Sequence, residues 1–170
     1  MKKFNRIFRK TLKQIKKILK ENDYLLLTTS LVNFLKNNKR ILQDPKLELA
    51  QAKRGYVYSV DFGYNTGSEL RDRHYCVVLA VQGKVANIVP FTSKNPQGSM
   101  ITRVDLGIIP KLSTKKVSYA LPNQITTVSR SRLMTPRVKG KMVNVKLTAQ
   151  QMEAIENGLA SLLFKNPWFS

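Results

Sequence analysis

Residues 54–91 read RGYVYSVDFGYNTGSELRDRHYCVVLAVQGKVANIVPF, and this stretch decides the fold. It holds three runs rich in β-branched and aromatic residues, at 55–62, 75–81 and 85–91, which predict three strands. A loop with two glycines separates the first two runs, and Gln82-Gly83-Lys84 is typical of a tight hairpin turn. Strands joined by such short turns pair antiparallel, so the stretch predicts an antiparallel sheet.

The segment before the second strand carries the only histidine of the chain. His74 follows Arg71 and Arg73 and stands directly before an apolar run. An imidazole exchanges its proton near pH ~6.5, and guanidinium groups stay charged and bind phosphate through paired donors. This cluster suits the binding and cleavage of a phosphodiester. The alternative is a set of solvated turn residues with a hydrogen-bonded surface histidine.

Short strand signals continue downstream, and a helix ends the chain. The predicted strands lie at 101–105, 117–121, 124–128 and 138–145. Thr148 and Gln151 then form a capping box, and apolar residues at helical spacing follow. The pattern predicts an α+β fold, in which a small, strongly bent antiparallel sheet curls into a barrel and carries a C-terminal helix.

The first 50 residues differ from the rest in their pattern of charged and apolar residues. Residues 1–20 alternate lysine or arginine with apolar residues at helical spacing, and a second helix is predicted over 24–42, capped by Asn22 or Asp23. We therefore expect two parts, a basic helical hairpin at 1–50 and a barrel domain at 51–170. The hairpin either packs its apolar face on the barrel or serves as an arm that binds a partner or a membrane surface.

Composition limits the classes of function. The chain has 30 Lys and Arg against 10 Asp and Glu, a net charge of +20, which favours nucleic acid as partner and an anionic membrane surface as the alternative. Cys76 is the only cysteine, so no intrachain disulfide can form, which predicts a reducing, cytoplasmic compartment. One cysteine and one histidine argue against a structural zinc site, and no metal or other cofactor is expected. No signal peptide or membrane span is expected either.

Several motifs, in order, resemble the MazF/PemK family of toxin endoribonucleases. They are Arg54-Gly55-Tyr56-Val57-Tyr58-Ser59-Val60-Asp61-Phe62-Gly63, then Gly67-Ser68-Glu69, Pro90-Phe91-Thr92-Ser93, Leu121-Pro122-Asn123-Gln124-Ile125-Thr126-Thr127-Val128 and the helix at 148–164. The resemblance implies a small barrel of the Src-homology-three kind, usually a homodimer. It also implies metal-independent cleavage of single-stranded RNA at short sequences, and neutralisation by an antitoxin protein. Residues 1–50 have no obvious counterpart in the family.

One departure from the family lies at the predicted site. The family usually has Arg-Pro at the entry to its second strand, where the arginine is catalytic, whereas this chain has His74-Tyr75, with Arg73 one residue earlier. The resemblance places the family's catalytic threonine at Thr92. The departure leaves two hypotheses open, namely a sequence-selective endoribonuclease and a catalytically silent RNA- or DNA-binding module or regulator on the same barrel.

RNA can be cleaved without metal by attack of its own 2′-hydroxyl. His74 could move the proton, Arg71 and Arg73 could hold the phosphate, and Thr92 or Ser93 could donate a hydroxyl to it. Side chains of adjacent strand residues point to opposite faces, so Arg73 and His74 converge only if the strand starts after them. The predicted substrate-binding residues, which could equally serve turns or solvation, are Tyr64, Asn65, Ser68, Glu69, Ser93, Lys94 and Gln124.

Overall fold

The computed structural model describes residues 2–46, 51–95 and 103–164. Within these ranges the helices are α1 (Lys2–Ile18), α2 (Glu21–Gln43) and α3 (Ala149–Phe164). The strands are β1 (Val57–Asp61), β2 (Arg73–Gln82), β3 (Val85–Thr92), β4 (Val104–Ile108), β5 (Val117–Ala120), β6 (Thr126–Ser129), β7 (Arg137–Val138) and β8 (Lys141–Met142). The predicted α+β class is confirmed.

All strand pairs of the described residues are antiparallel, as the hairpin turns predicted. The main sheet runs in the order β1-β2-β3-β5-β4, and β6 also pairs with β3, while β7 and β8 form a separate ribbon. Strand β3 therefore pairs with β6 along its first half and with β5 at Phe91 and Thr92. The switch of partner bends the sheet around β3. Closure into a barrel stays a prediction.

The apolar residues of the sheet face two separate cores. Strand β2 shows the alternation, since Val77 and Leu79 face the first core and Cys76 and Val78 face the second. Helix α3 covers the first core and inserts Ile155, which is fully buried. Because both faces are covered, β2 reads as a continuous apolar run in the sequence, a pattern that is usual for strands buried on both faces.

The C-terminal helix begins at the predicted capping box. The Gln151 backbone N–H donates to Thr148 Oγ1 over 3.1 Å, and the Thr148 N–H donates to Gln151 Oε1 over 3.0 Å. The Gln151 side chain also donates to the carbonyl of Leu106 over 2.8 Å, which ties the start of α3 to β4. The capping box therefore fixes both where the helix starts and how it sits on the sheet.

Several predicted boundaries shift. Helix α2 starts at Glu21, after Lys20, without a side-chain cap, so the predicted caps Asn22 and Asp23 are wrong and both lie in the first turn. The predicted strand at 124–128 starts only at Thr126, because residues 122–124 form a 3-10 turn. The fourth strand starts at Val104, and residues 101–102 lie outside the described ranges. The predicted strand at 138–145 reduces to the β7–β8 ribbon.

Helix α2 lies against the loop that follows β1, mainly through polar groups. Asn33 Nδ2 donates to Asp61 Oδ2 over 2.9 Å, and Asp23 Oδ1 accepts from Arg71 Nη1 over 3.0 Å. No residue of α2 is buried, and Leu25, Phe34 and Leu42 are 63%, 62% and 83% exposed. The predicted packing of an apolar face on the body is therefore only partial.

Candidate functional site

The predicted site residues come from strand ends that meet at one edge of the sheet. Strand β1 ends at Asp61 opposite Arg73, the first residue of β2, and Val60 pairs with His74. Strand β3 ends at Thr92, which pairs with Tyr119 of β5. Because these strands are antiparallel, the end of β1, the start of β2 and the end of β3 lie side by side. The sheet thus brings the histidine and threonine positions together.

His74 is held in a defined orientation by the neighbouring strand. Its Nδ1 lies 2.9 Å from the backbone carbonyl oxygen of Phe91, and Phe62 packs against the ring edge-on at 6.1 Å between centroids. A carbonyl only accepts hydrogen bonds, so Nδ1 carries the proton and Nε2 of the neutral ring carries a lone pair. The ring is half-buried. This arrangement leaves Nε2 able to accept a proton from a substrate.

Thr92 lies on the same face of the sheet as His74. The pairing of β2 with β3 ends at Cys76 and Pro90, and His74 and Thr92 each lie two residues beyond this pair, so strand alternation directs both side chains to the same face of the sheet. The Thr92 Oγ1 accepts the backbone N–H of Lys94 over 3.2 Å, so its own O–H can still donate to a substrate oxygen. A hydroxyl donor and an imidazole acceptor therefore face the same space. Ser93 and Lys94 follow directly and are exposed.

The two arginines are placed differently from each other. Strand β2 begins at Arg73, so both Arg73 and His74 are strand residues, and their side chains leave the sheet on opposite faces. Arg71 packs its guanidinium over the ring of Tyr64, with 4.6 Å to the ring centroid, and forms its ion pair with Asp23 of α2. Its Nε is buried without a hydrogen-bond partner. Arg71 and Tyr64 are thus joined to each other and to the N-terminal helices.

The loop between β1 and β2 carries the remaining predicted contacts. Asn65 donates its side-chain amide to the carbonyl of Leu70 over 2.8 Å, so this amide braces the loop, whereas Ser68 and Glu69 are exposed. At the base of the loop, Phe62 N–H donates to the carbonyl of Asp72 over 2.8 Å. Asp72 itself has φ 64°, a left-handed conformation that is uncommon outside glycine.

Gln124 stands apart from the loop but near the same edge. It ends the 3-10 turn Pro122–Gln124, is half-buried, and follows Leu121, whose N–H donates to the Pro90 carbonyl over 2.9 Å. This bond places the turn two residues from Thr92 along β3.

The structure brings His74 and Thr92 together. It also gathers Tyr64, Asn65 and Arg71 in the β1–β2 loop. Arg73 is left on the other face of the sheet.

Three residues that support this edge were missed by sequence reasoning. Asp61 accepts the Gly63 N–H over 2.9 Å as well as the Asn33 amide, and Arg132 Nη2 donates to the Asp61 carbonyl over 2.6 Å. An Asp two residues before a Gly is a recognisable turn signal, so the role of Asp61 could have been found. Asn33 and Arg132 act across 28 and 71 residues of sequence, where no local signal exists.

Behind the site lies an inert thiol. Burial raises the pKa of Cys76 to about 12, since the core disfavours the thiolate, and the Tyr58 backbone N–H offsets this only in part. Burial likewise raises the pKa of Tyr58. Cys76 therefore belongs to the core. In the described ranges no three His, Cys, Asp or Glu residues are grouped as metal ligands, and no helix there could cross a membrane.

Comparison with known proteins shows the family to which the chain belongs. The sequence model of the family described as PemK-like, MazF-like toxin of type II toxin-antitoxin system matches residues 53–163. The match spans well over half of the chain, which therefore belongs to this family. It also starts where the described sheet begins and excludes α1 and α2. No curated protein matches the chain.

Solved structures with a similar fold include two of MazF from Deinococcus radiodurans. The structure of MazF alone aligns with a TM-score of 0.47 at 18% identity, covering 65% of this chain and 94% of that one. In the structure of MazE-MazF, the aligned chain gives a TM-score of 0.43 at 19% identity, with 66% and 94% covered.

Proposed function

We propose that the protein is a sequence-selective, metal-independent endoribonuclease that cleaves single-stranded RNA and serves as the toxin of a toxin–antitoxin pair. The observation that carries the proposal is the bond of His74 Nδ1 to the Phe91 carbonyl, which leaves Nε2 as an acceptor on the same face of the sheet as Thr92. Family membership supplies the substrate class and an antitoxin protein as partner. We further expect a homodimer that acts in the cytoplasm.

The geometry supports a reaction in which the RNA provides the nucleophile. His74 Nε2 takes the proton of a 2′-hydroxyl, whose oxygen attacks the adjacent phosphorus while the Thr92 hydroxyl donates to a phosphoryl oxygen. The bond to the 5′-oxygen breaks, and water at this edge of the sheet protonates the leaving oxygen. His74 then gives its proton to the hydroxide that remains, which restores the neutral imidazole and water. The products are a 2′,3′-cyclic phosphate and a 5′-hydroxyl end.

Other side chains bind the RNA in this proposal. Arg71 and Arg73 attract phosphates, as do Ser93 and Lys94 beside Thr92. Tyr64, Asn65 and Gln124 stack on bases or read base edges, and Ser68 and Glu69 border the same loop. Arg73, on the other face of the sheet, contacts the RNA away from the cleaved bond.

One observation favours the silent binding module instead. Asp23 pairs with Arg71, and Arg71 covers Tyr64, so two of the predicted site residues are engaged by α2 or by each other. With the Arg71 guanidinium held by Asp23 and Tyr64, the protein binds RNA through its other cations. Such a protein binds RNA without cleaving it. The two functions differ in one measurable respect, the production of new RNA ends.

The experiment incubates the purified protein with mixed single-stranded RNA in the presence of a chelator. We expect fragments with 2′,3′-cyclic phosphate and 5′-hydroxyl ends that share a short sequence at the cut. Cleavage that disappears in chelator and returns with magnesium would contradict the metal-independent reaction. RNA that is bound but remains intact, under conditions where a known ribonuclease cuts it, would establish the silent module.

A further inference from the structure

Helix α1 separates its charged and apolar residues onto two opposite faces. Successive residues of a helix are rotated by about 100°, which places every cation of residues 6–20 on one side and the large apolar residues on the other. Residues 1–20 hold nine Lys or Arg and no acid. The apolar side consists of Ile7, Phe8, Leu12, Ile15, Ile18 and Leu19. Such complete segregation is typical of helices that lie in the plane of a membrane surface.

The folded chain covers only part of this apolar side. Leu12, Ile15 and Leu19 are half-buried, whereas Ile7, Phe8 and Ile18 are 54%, 43% and 80% exposed. Helix α2, joined to α1 by two residues, adds exposed Leu25, Leu31, Val32, Leu35 and Leu42. Both helices therefore expose several large apolar side chains to water.

The charge pattern of α1 is unfavourable for a helix in water. Like charges four residues apart, as in Arg6–Lys10, Arg9–Lys13 and Lys13–Lys17, repel each other. Cations near the first turn also oppose the helix dipole, and no acid there compensates it. An anionic surface relieves the repulsion among these cations. The helix thus needs an anionic partner for one part of its surface and an apolar environment for the rest.

We propose that α1 lies in the headgroup region of an anionic lipid bilayer, with its apolar face turned toward the acyl chains. RNA would satisfy the cations but leave Ile7 and Ile18 in water. A second copy of the chain would cover the apolar residues but leave the cations on the opposite face without an anionic partner. A bilayer with anionic headgroups meets both needs at once. The proposal does not depend on any ribonuclease activity.

Vesicle flotation of the full-length protein tests this assignment. We expect the protein to float with vesicles of equal parts phosphatidylcholine and phosphatidylglycerol, and to stay at the bottom with phosphatidylcholine alone. The helical signal in far-ultraviolet circular dichroism should increase on addition of the anionic vesicles only. Weak flotation with both compositions, or equal flotation with both, would overturn the proposal.

Matched variants separate charge from apolar contact. We expect vesicle binding to weaken at least tenfold when Lys10, Lys13 and Lys17 are changed together to Gln. Each cation near an anionic membrane surface increases the affinity roughly fivefold. Lys94, Lys115 and Lys116 changed to Gln remove the same charge from the barrel and should leave vesicle binding within about twofold. If the two triple variants lose binding equally, the net charge and not α1 is responsible, and the proposal fails.

The apolar contact has its own pair of variants. The double variant I7N/I18N should lower vesicle binding by roughly tenfold. The control I108N changes an isoleucine of β4 that is 47% exposed and should leave binding unchanged. Chemical denaturation checks that the sheet domain of each variant is folded. Full binding by the Ile7 and Ile18 double variant would show that α1 does not insert its apolar face.

Discussion

At the scale of single residues, one hydrogen bond decides what His74 can do. The Phe91 carbonyl accepts from Nδ1, which orients the ring and leaves Nε2 to act on a substrate. Thr92 adds its hydroxyl on the same face because it follows Phe91 directly along β3. The pair is therefore fixed by the backbone of the sheet rather than by a flexible loop.

His74→Gln distinguishes proton transfer from positioning. A glutamine amide can still donate to the Phe91 carbonyl but cannot exchange a proton at neutral pH. We expect both His74→Gln and His74→Ala to lower the RNA cleavage rate by roughly 100-fold or more, with RNA affinity nearly unchanged. If His74→Gln cleaves at the wild-type rate, His74 only positions the site, and its role in proton transfer is contradicted.

Cys76 gives a prediction about alkaline pH. Its folded-state pKa is raised from 9.0 to about 12, so the unfolded thiol ionises first as the pH rises. The contribution of the thiol to stability is therefore present below pH 9.0 and is lost between there and about pH 12. We expect the unfolding free energy to fall less steeply over this window in Cys76→Ala. Equal slopes for both proteins would show that the thiol is accessible in the folded state.

At the scale of elements, α2 and the β1–β2 loop are joined by two contacts with different consequences. Asp23 engages the guanidinium of Arg71, whereas Asn33 engages Asp61 and leaves Arg71 unaffected. Both ion-pair partners are about one-third exposed, so their pairing stabilises the fold by at most ~1 kcal/mol. The Asp23 carboxylate nevertheless occupies donors that a phosphate would use.

Asp23→Ala is therefore expected to increase affinity for a single-stranded RNA by a few-fold, since it releases Arg71 to bind phosphate. Asn33→Ala removes the other contact and should leave RNA affinity unchanged. Binding is measured with an oligonucleotide that carries 2′-deoxy sugars at the cleaved positions. Equal gains in both variants would mean that the position of α2, and not its carboxylate, limits access of RNA.

Gly158 allows α3 to pack closely on the sheet. A Cβ at this position would lie 2.7 Å from Val104 Cγ2 and 3.3 Å from Pro122 Cγ. We expect Gly158→Ala to lose about 1 kcal/mol of stability, because overpacking costs more than the helix propensity that alanine adds. The exposed neighbour Asn157 is the control, since Asn157→Ala should gain a few tenths of a kcal/mol in urea unfolding.

Local patterns predicted the elements that depend on local chemistry. The strands around His74 and the Thr148 capping box follow from residue types a few positions apart, and both were found from the sequence. The start of α2 was missed because the helix has no side-chain cap to mark it. The pairing of Arg71 with Asp23 joins residues 48 apart, and the sequence around neither residue contains a pattern that predicts it. The resemblance to the family supplied Thr92, which residue chemistry alone would not have singled out.

At the scale of the whole molecule, the excess of 20 positive charges serves two surfaces in our proposals. The cations of α1 face lipid, and a second group borders the site. Lys94 follows the end of β3, which pairs with β5 through Thr92 and Tyr119, and Lys115 and Lys116 directly precede β5. All three lysines are exposed. This second group is placed to attract the phosphates of an RNA that enters at Thr92.

The two surfaces can be separated by the salt dependence of RNA binding. We expect the slope of log affinity against log salt to fall by about 2 when Lys94, Lys115 and Lys116 are changed to Gln. Each phosphate of a single strand that a cation neutralises contributes ~0.7 to this slope. Lys10, Lys13 and Lys17 changed to Gln remove the same net charge and should leave the slope unchanged. The sequence cleaved should be the same in both, because phosphate contacts position a strand without reading its bases. A flatter slope in the α1 variant alone would assign that helix to RNA and contradict its placement on lipid.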